Sequence, residues 1–287
     1  MIERSIGSAS VSAIALGTAG LSIADPVVDP DADATIDAAV EAGVTFVDTA
    51  AAYATATDAR HSERLVRRAL DRHPGLFVAT KGGHTRDGVE WGIDGRPESI
   101  RRDCERSLGV LGLERLDLYY LHKPDPEADF LDGVGALAAL QREGKIARIG
   151  LSNVSPDQLA AARQVAQIDA VQNRFSPLDT ADLECLRLCE RLGIAYLPYS
   201  PLGGASAALE SAFPLTLQRA AERDVSLRSV LLAWLLSLST TVIPVVGARR
   251  PASIADSARA ADIRLDVDLA AAIADDRIAL DPGSNLR

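Results

Sequence analysis

Leu116-Asp117-Leu118-Tyr119-Tyr120-Leu121-His122 is a short, β-rich apolar run that closes on a histidine. It is followed by a stretch of helical periodicity over 128–143 and then by a second such run over 147–153. Near-continuous apolar strands joined by an amphipathic helix point to parallel pairing with helices laid over the sheet, because a strand buried on both faces has no solvent side to alternate against. The same unit repeats outward in both directions. Apolar runs fall at 13–17, 45–49, 76–81, 116–122, 147–153, 170–173, 195–200 and 241–247. Helical stretches fall at 31–42, 62–72, 97–109, 128–143, 156–166, 181–191, 227–237 and 251–260. Proline opens several of the helices (Pro97, Pro156, Pro251), and Gly144 and Gly193 follow helix ends, as helix-terminus chemistry asks. Eight β-then-α units with no linker or low-complexity tract predict an α/β fold, a (β/α)8 TIM barrel in a single domain over 1–287; a doubly wound sheet is the alternative. Gly7-Ser8 between short alternating runs in 2–11 predicts an N-terminal β-hairpin closing the barrel bottom.

The chain has 287 residues, 47% hydrophobic and 24% charged, which is the balance of a globular protein with a sizeable core. Its net charge of −10 argues against nucleic-acid or anionic-membrane partners, which require a basic field. Three cysteines, Cys104, Cys185 and Cys189, make neither a disulfide framework nor a zinc motif, and a reducing cytoplasm fits them. Cys185 and Cys189 share a helix face as packing residues, and His61, His73 and His84 lack metal-ligand spacing. The apolar stretches 11–24 and 230–246 are interrupted by polar residues and read as core, not as a signal or a membrane span. Among 30 basic residues only Lys81, Lys123 and Lys145 are lysines, so a position that keeps lysine asks for a reason. Lys123 and Lys145 fit exposed loop and strand-entry positions.

In such a barrel the active site is built where strands feed the loops at their C-terminal ends. Those ends read Gly17-Thr18, Asp48-Thr49, Lys81-Gly82, His122-Lys123, Ser152-Asn153, Gln172-Asn173, Tyr199-Ser200 and Gly247-Ala248. Each has an ordinary reading of its own: Asp48 a cap, Tyr53 a loop anchor, His122 a satisfied core histidine. Lys81 resists one, because it ends an apolar run where an unpaired ammonium is costly to bury; it calls for a carboxylate, and Asp48 is the natural candidate. Such a pair beside Tyr53 is expected to favour the phenolate and lower the phenol pKa, with His122 bonding the same substrate oxygen. The set can protonate a carbonyl oxygen but supplies no hydride, so a cofactor is implied. The 82–96 segment shows no periodicity and reads as a long loop on the same rim, with Trp91 as a candidate pocket wall.

These residues resemble the aldo-keto reductases over essentially the whole chain. The resemblance rests on Phe46-Val47-Asp48-Thr49-Ala50 leading to Tyr53, on His61-Ser62-Glu63, on Val78-Ala79-Thr80-Lys81, on the block ending in His122, and on Gly144-Lys145-Ile146 through Ser152-Asn153. It implies catalytic roles for Asp48, Tyr53, Lys81 and His122, with Tyr53 as general acid in carbonyl reduction. It also implies a nicotinamide held by Ser152, Asn153 and Gln172 and stacked on Tyr199. Thr18, Asp48, Ser200, Leu202, Gly203, Gly247, Ala248, Arg249 and Asp256 fall at the further cofactor positions. At the adenosine end the sequence departs from the family: Gly247, Ala248 and Ser253 stand where cations are common, and Asp256-Ser257 stands where Glu-Asn is usual. Arg249 and Arg250 are suited to take over a phosphate.

The resulting expectation is a cytoplasmic oxidoreductase, monomeric or a small homo-oligomer. It uses NADP(H), with NAD(H) not excluded and no metal, to reduce an aldehyde or ketone to the alcohol or to run the reverse. A Schiff-base lyase using Lys81 and a cofactor-binding sensor with little turnover are the rival readings. Pocket walls are expected from 19–21, 82–96, 174–178 and the C-terminal tail.

Overall fold

The computed structural model describes residues 1–23, 30–87, 90–204 and 207–280. The apolar runs become parallel strands β3 (Ala15–Gly17), β4 (Phe46–Asp48), β5 (Phe77–Gly82), β8 (Leu118–Leu121), β9 (Ile149–Ser152), β10 (Ala170–Gln172), β11 (Ala195–Tyr196) and β12 (Val245–Gly247). Each pairs with its chain neighbour in the set, and β12 pairs with β3. Parallel bridges Tyr196 to Val242 and Tyr199 to Val245 join β11 to the β12 segment and close the barrel. Closure removes the open edges that an eight-stranded sheet would otherwise expose.

The two-residue period of the strands sorts their side chains. Phe46, Phe77, Ala79, Leu118, Tyr120, Ala170, Ala195 and Val245 fill the barrel interior. Val47, Val78, Tyr119, Leu121, Ile149, Leu151, Val171 and Val246 pack outward in the larger core beneath the helices. Gly150 faces inward opposite Tyr120, whose ring occupies the space that a Cβ there would need. At the bottom, β1 (Glu3–Ile6) and β2 (Ala9–Ser12) form the expected hairpin, and Ile6 and Val11 join the interior cluster.

The covering helices are α2 (Pro30–Glu41), α3 (His61–Arg72), α4 (Pro97–Leu111), α5 (Phe130–Arg142), α6 (Pro156–Ala162), α7 (Leu183–Leu192), α10 (Leu227–Leu238) and α11 (Pro251–Ala258). Four more lie outside the repeat: α1 (Ala19–Ser22), α8 (Leu209–Ala212), α9 (Pro214–Ala221) and α12 (Val267–Leu280). Pro97, Pro156 and Pro251 open α4, α6 and α11, as the sequence signalled. Asp129 caps α5, Ser155 and Gln158 form a reciprocal box on α6, and Gly193 takes φ +65° after α7. Cys185 and Cys189 are free thiols buried on the inner side of α7.

The 82–96 segment departs from its reading as an aperiodic loop. It holds an antiparallel hairpin, β6 (His84–Asp87) and β7 (Glu90–Ile93), with Arg86 opposite Trp91. Polar residues on both of its faces hide its period, so backbone pairing and not apolar alternation sets the structure. The C-terminal tail beyond residue 280 lies outside the described residues. No helix among the described residues is long and apolar enough to cross a membrane.

Candidate active site

The inward register that places Phe46 and Ala79 in the apolar interior places Asp48 and Lys81 one step higher, at the C-terminal ends of β4 and β5. Lys81 is fully buried there, and its Nζ donates to Asp48 Oδ2 at 2.5 Å, to Thr49 O at 2.9 Å and toward Tyr53 Oη at 3.5 Å. The second oxygen of Asp48 accepts from Gln172 Nε2 at 2.9 Å, across the barrel from β10. The carboxylate is thereby held on both sides. Burial alone would lower the Lys81 pKa, but Asp48 and Tyr53 outweigh it and hold the pKa above its ordinary value, so the ammonium stays charged.

Tyr53 departs from the sequence reading. Its phenol pKa is raised, not lowered: burial pushes it up, and the pull of Lys81 is offset by the push of Asp48. A lysine 2.5 Å from a carboxylate presents a dipole rather than a net positive charge, and burial therefore wins. The phenol stays protonated through neutral pH, the form that can donate.

His122 ends the β8 segment and meets Tyr53 edge-on, with ring centroids 5.8 Å apart. Burial, then Lys81 and His84, hold its pKa well below the ordinary histidine value, so the imidazole is neutral. Its Nδ1 is buried without a partner, which leaves Nε2 as the nitrogen available to a ligand.

A second group ties β9, β11 and β8 together. Asn153, at φ +58°, donates to His122 O at 3.0 Å and to Ser152 Oγ at 3.1 Å, and accepts from Tyr199 Oη at 2.8 Å. Thr18 lies fully buried behind Asp48. Its hydroxyl donates to Asp48 O at 3.0 Å and sits 2.7 Å from Ser62 Oγ, which also contacts Thr49. Ser62 and the fully buried Glu63, which accepts from Thr80 and Arg60, anchor the first turn of α3 and so the loop that carries Tyr53. The Ser-Glu helix start marked these residues in the sequence, though not their partners.

The remaining positions follow the rim. Ser200 (φ +49°), Leu202 and Gly203 (φ +84°) form a turn closed by Gly203 N donating to Ser200 O at 2.8 Å. Gly247 is exposed at the end of β12 with open space where a Cβ would be, Ala248 is buried, and Arg249 and Arg250 are exposed just before α11. Asp256 is tied to α10, its carboxylate accepting from Ser226 Oγ at 2.6 Å and its carbonyl from Ser229 Oγ at 2.7 Å. Trp91 is 46% exposed on the hairpin; Lys123 is exposed, and Lys145 pairs with Glu105 and Glu143 at the strand entry. No group of three or more potential metal ligands occurs among the described residues.

A family model described as the aldo/keto reductase family matches residues 13–275. The chain belongs to the aldo/keto reductase family. It is 35% identical over 229 residues to an uncharacterized oxidoreductase of Schizosaccharomyces pombe, covering 79% of this chain and 72% of that one. A probable aldo-keto reductase of Glycine max is 39% identical over 200 residues, 67% of this chain; the chain spans a little over half of that relative, 56% of its length. The solved glycerol dehydrogenase of Gluconobacter oxydans superposes with a TM-score of 0.86 at 26% identity, covering 98% of this chain and 97% of that one. Oxidoreductase relatives and a shared barrel make this chain an oxidoreductase of that family.

Proposed function

We propose that this aldo/keto reductase reduces an aldehyde or ketone to the alcohol, or runs the reverse, with NADP(H) as cofactor. The observation that carries the reading is the buried Lys81 ammonium held between the Asp48 carboxylate and the Tyr53 hydroxyl. Tyr53 holds the proton that goes to the carbonyl oxygen. Lys81, still charged, favours the phenolate left behind, and Asp48 keeps Lys81 in place. His122, neutral, orients the carbonyl oxygen through Nε2. The charged state of Lys81 argues against a Schiff-base lyase, in which the nucleophilic amine must be neutral.

The residues present fit an anionic dinucleotide. Arg249 and Arg250 precede the N-terminus of α11, and the exposed Gly247 leaves its backbone open to close approach. Ser152, Asn153 and Gln172 would face the nicotinamide, Tyr199 its ring, and 200–203 the pyrophosphate. When bound, the cofactor supplies the hydride. Gln172 and Asn153 also have structural work on Asp48 and Tyr199, so substitutions there disturb more than cofactor affinity.

The test is oxidation of NADPH and of NADH across aliphatic, aromatic and sugar-derived carbonyls, with the Arg249→Ala/Arg250→Ala double variant alongside. The expected result is turnover with NADPH preferred. Loss of the two cations raises the KM for NADPH by about 10- to 100-fold, the scale of a charge-assisted hydrogen bond, and leaves that for NADH nearly unchanged. A clear NADH preference in the wild-type chain contradicts the cofactor assignment.

A further inference from the structure

His84 opens β6, and its ring lies face to face with that of His122, 4.4 Å between centroids and 29° between planes. Both of its ring nitrogens are buried without a hydrogen-bond partner, as is Nδ1 of His122. With no protein hydrogen bond to either nitrogen, the His84 ring is placed by its ring contacts. His84 also meets Trp91, 5.5 Å between ring centroids with the planes tilted by 58°, and the Arg86 guanidinium lies 5.1 Å from the Trp91 ring. The hairpin register, Arg86 opposite Trp91 and His84 opposite Ile93, puts these side chains on one face. A column of planar groups therefore runs from the hairpin into the site, through Arg86, Trp91 and His84 to His122, which Tyr53 meets at 80°.

We propose, resting on the function given above, that His84 is a positioning residue for His122: the stacked ring fixes the plane in which His122 presents Nε2 to the carbonyl oxygen. His122 needs such a support. With Nδ1 unpartnered, no hydrogen bond among the described residues holds its ring, and ring contacts set its orientation: the face-to-face stack on His84 and the edge-on contact with Tyr53. The stack also acts on charge. The charged and titratable groups around the two rings are Lys81 on β5, Tyr53 on the loop after β4, Lys123 beside His122, and Arg86 farther along the hairpin. Among the described residues no carboxylate accepts from either ring. Burial and then Lys123 keep the His84 imidazole neutral, and burial, then Lys81 and His84, keep that of His122 neutral.

The test compares His84→Ala and His84→Phe with wild type and Tyr53→Phe, using NADPH and a carbonyl the wild type reduces. His84→Ala is expected to lower kcat by about 10- to 100-fold, since misplacing a catalytic group by about 1 Å costs on the order of 10²-fold. Its NADPH affinity, from fluorescence titration, stays within about twofold. Its kcat/KM acquires an inflection toward pH 6.5 that wild type lacks, as His122 regains water and loses its stacked neighbour. His84→Phe, which keeps a flat ring, restores most of kcat. Wild-type kcat and pH profile in His84→Ala overturn the proposal, as does equal impairment of both variants in step with lost NADPH binding. If Tyr53→Phe is inactive while His84→Ala is normal, only this inference fails. If Tyr53→Phe keeps full turnover, the proposed function fails and this inference with it.

Discussion

Lys81 and Asp48 form a salt bridge of 2.5 Å in which the lysine is fully buried and the aspartate side chain is only 3% exposed. Removing two charges from water costs several kcal/mol per ion, so the pair persists only because each charge is otherwise bonded, Lys81 to Thr49 O and Asp48 to Gln172. It is an expensive way to fill a barrel, and its position beside Tyr53 gives it a use.

Breaking one partner strands the other. Lys81→Met is expected to lower the unfolding free energy by about 3–5 kcal/mol, and Asp48→Asn to destabilise by leaving the ammonium without a counter-charge. The double variant loses less than the sum of the two, because neither charge is then left alone. Urea unfolding midpoints check this; losses that simply add would contradict a coupled pair.

The raised phenol pKa of Tyr53 sets the pH response of the two directions. Carbonyl reduction needs the protonated phenol and is expected to stay level through neutral and mildly alkaline pH. Alcohol oxidation needs the phenolate, so its kcat climbs across the same range without reaching a plateau by pH 10, about the ordinary phenol value. Initial rates in both directions from pH 6 to 10 are the measurement. A plateau in oxidation below pH 8 would show a lowered phenol pKa instead.

Two imidazoles link stability to pH. His84, held at about 4 by burial and then Lys123, and His122, held well below the ordinary histidine value by burial and then Lys81 and His84, bind protons more weakly in the folded chain than in the unfolded one. Stability is therefore fully present above about pH 6.5 and falls as the pH drops toward 4. Asp94 and Glu143, each held at about 2 by Arg96 and Arg101 respectively, contribute losses only at pH values below those of free carboxylates. The Tm is expected to decline between pH 6.5 and 5, and to decline less in His84→Phe. A Tm constant over that interval would contradict the assignment.

The barrel was legible because its signals are local: runs such as 147–153, proline at first helical turns and glycine after helix ends each declare themselves within a few residues. Asp48, Lys81 and His122 were legible for a related reason, since ending successive strands of one barrel brings them to one rim. The hairpin of β6 and β7 was not, because His84, Arg86 and Trp91 share a face that has no apolar period. His84 contacts His122 across 38 positions of chain, and nothing in the spacing of the histidines marks that contact. The direction of the Tyr53 phenol pKa is not legible in the sequence for a physical reason as well. Residue types reveal that a lysine stands near a tyrosine, but the sign of the outcome depends on how closely Asp48 cancels the lysine charge and on how deeply the phenol is buried.

The claim that Tyr53 delivers the proton is tested most directly by single-turnover NADPH oxidation with an accepted carbonyl, comparing wild type with Tyr53→Phe. NADPH affinity is expected to be nearly unchanged, while the rate falls by about 10²- to 10⁴-fold, the scale of a lost general acid. A Tyr53→Phe chain that binds NADPH and turns over at the wild-type rate would contradict the account.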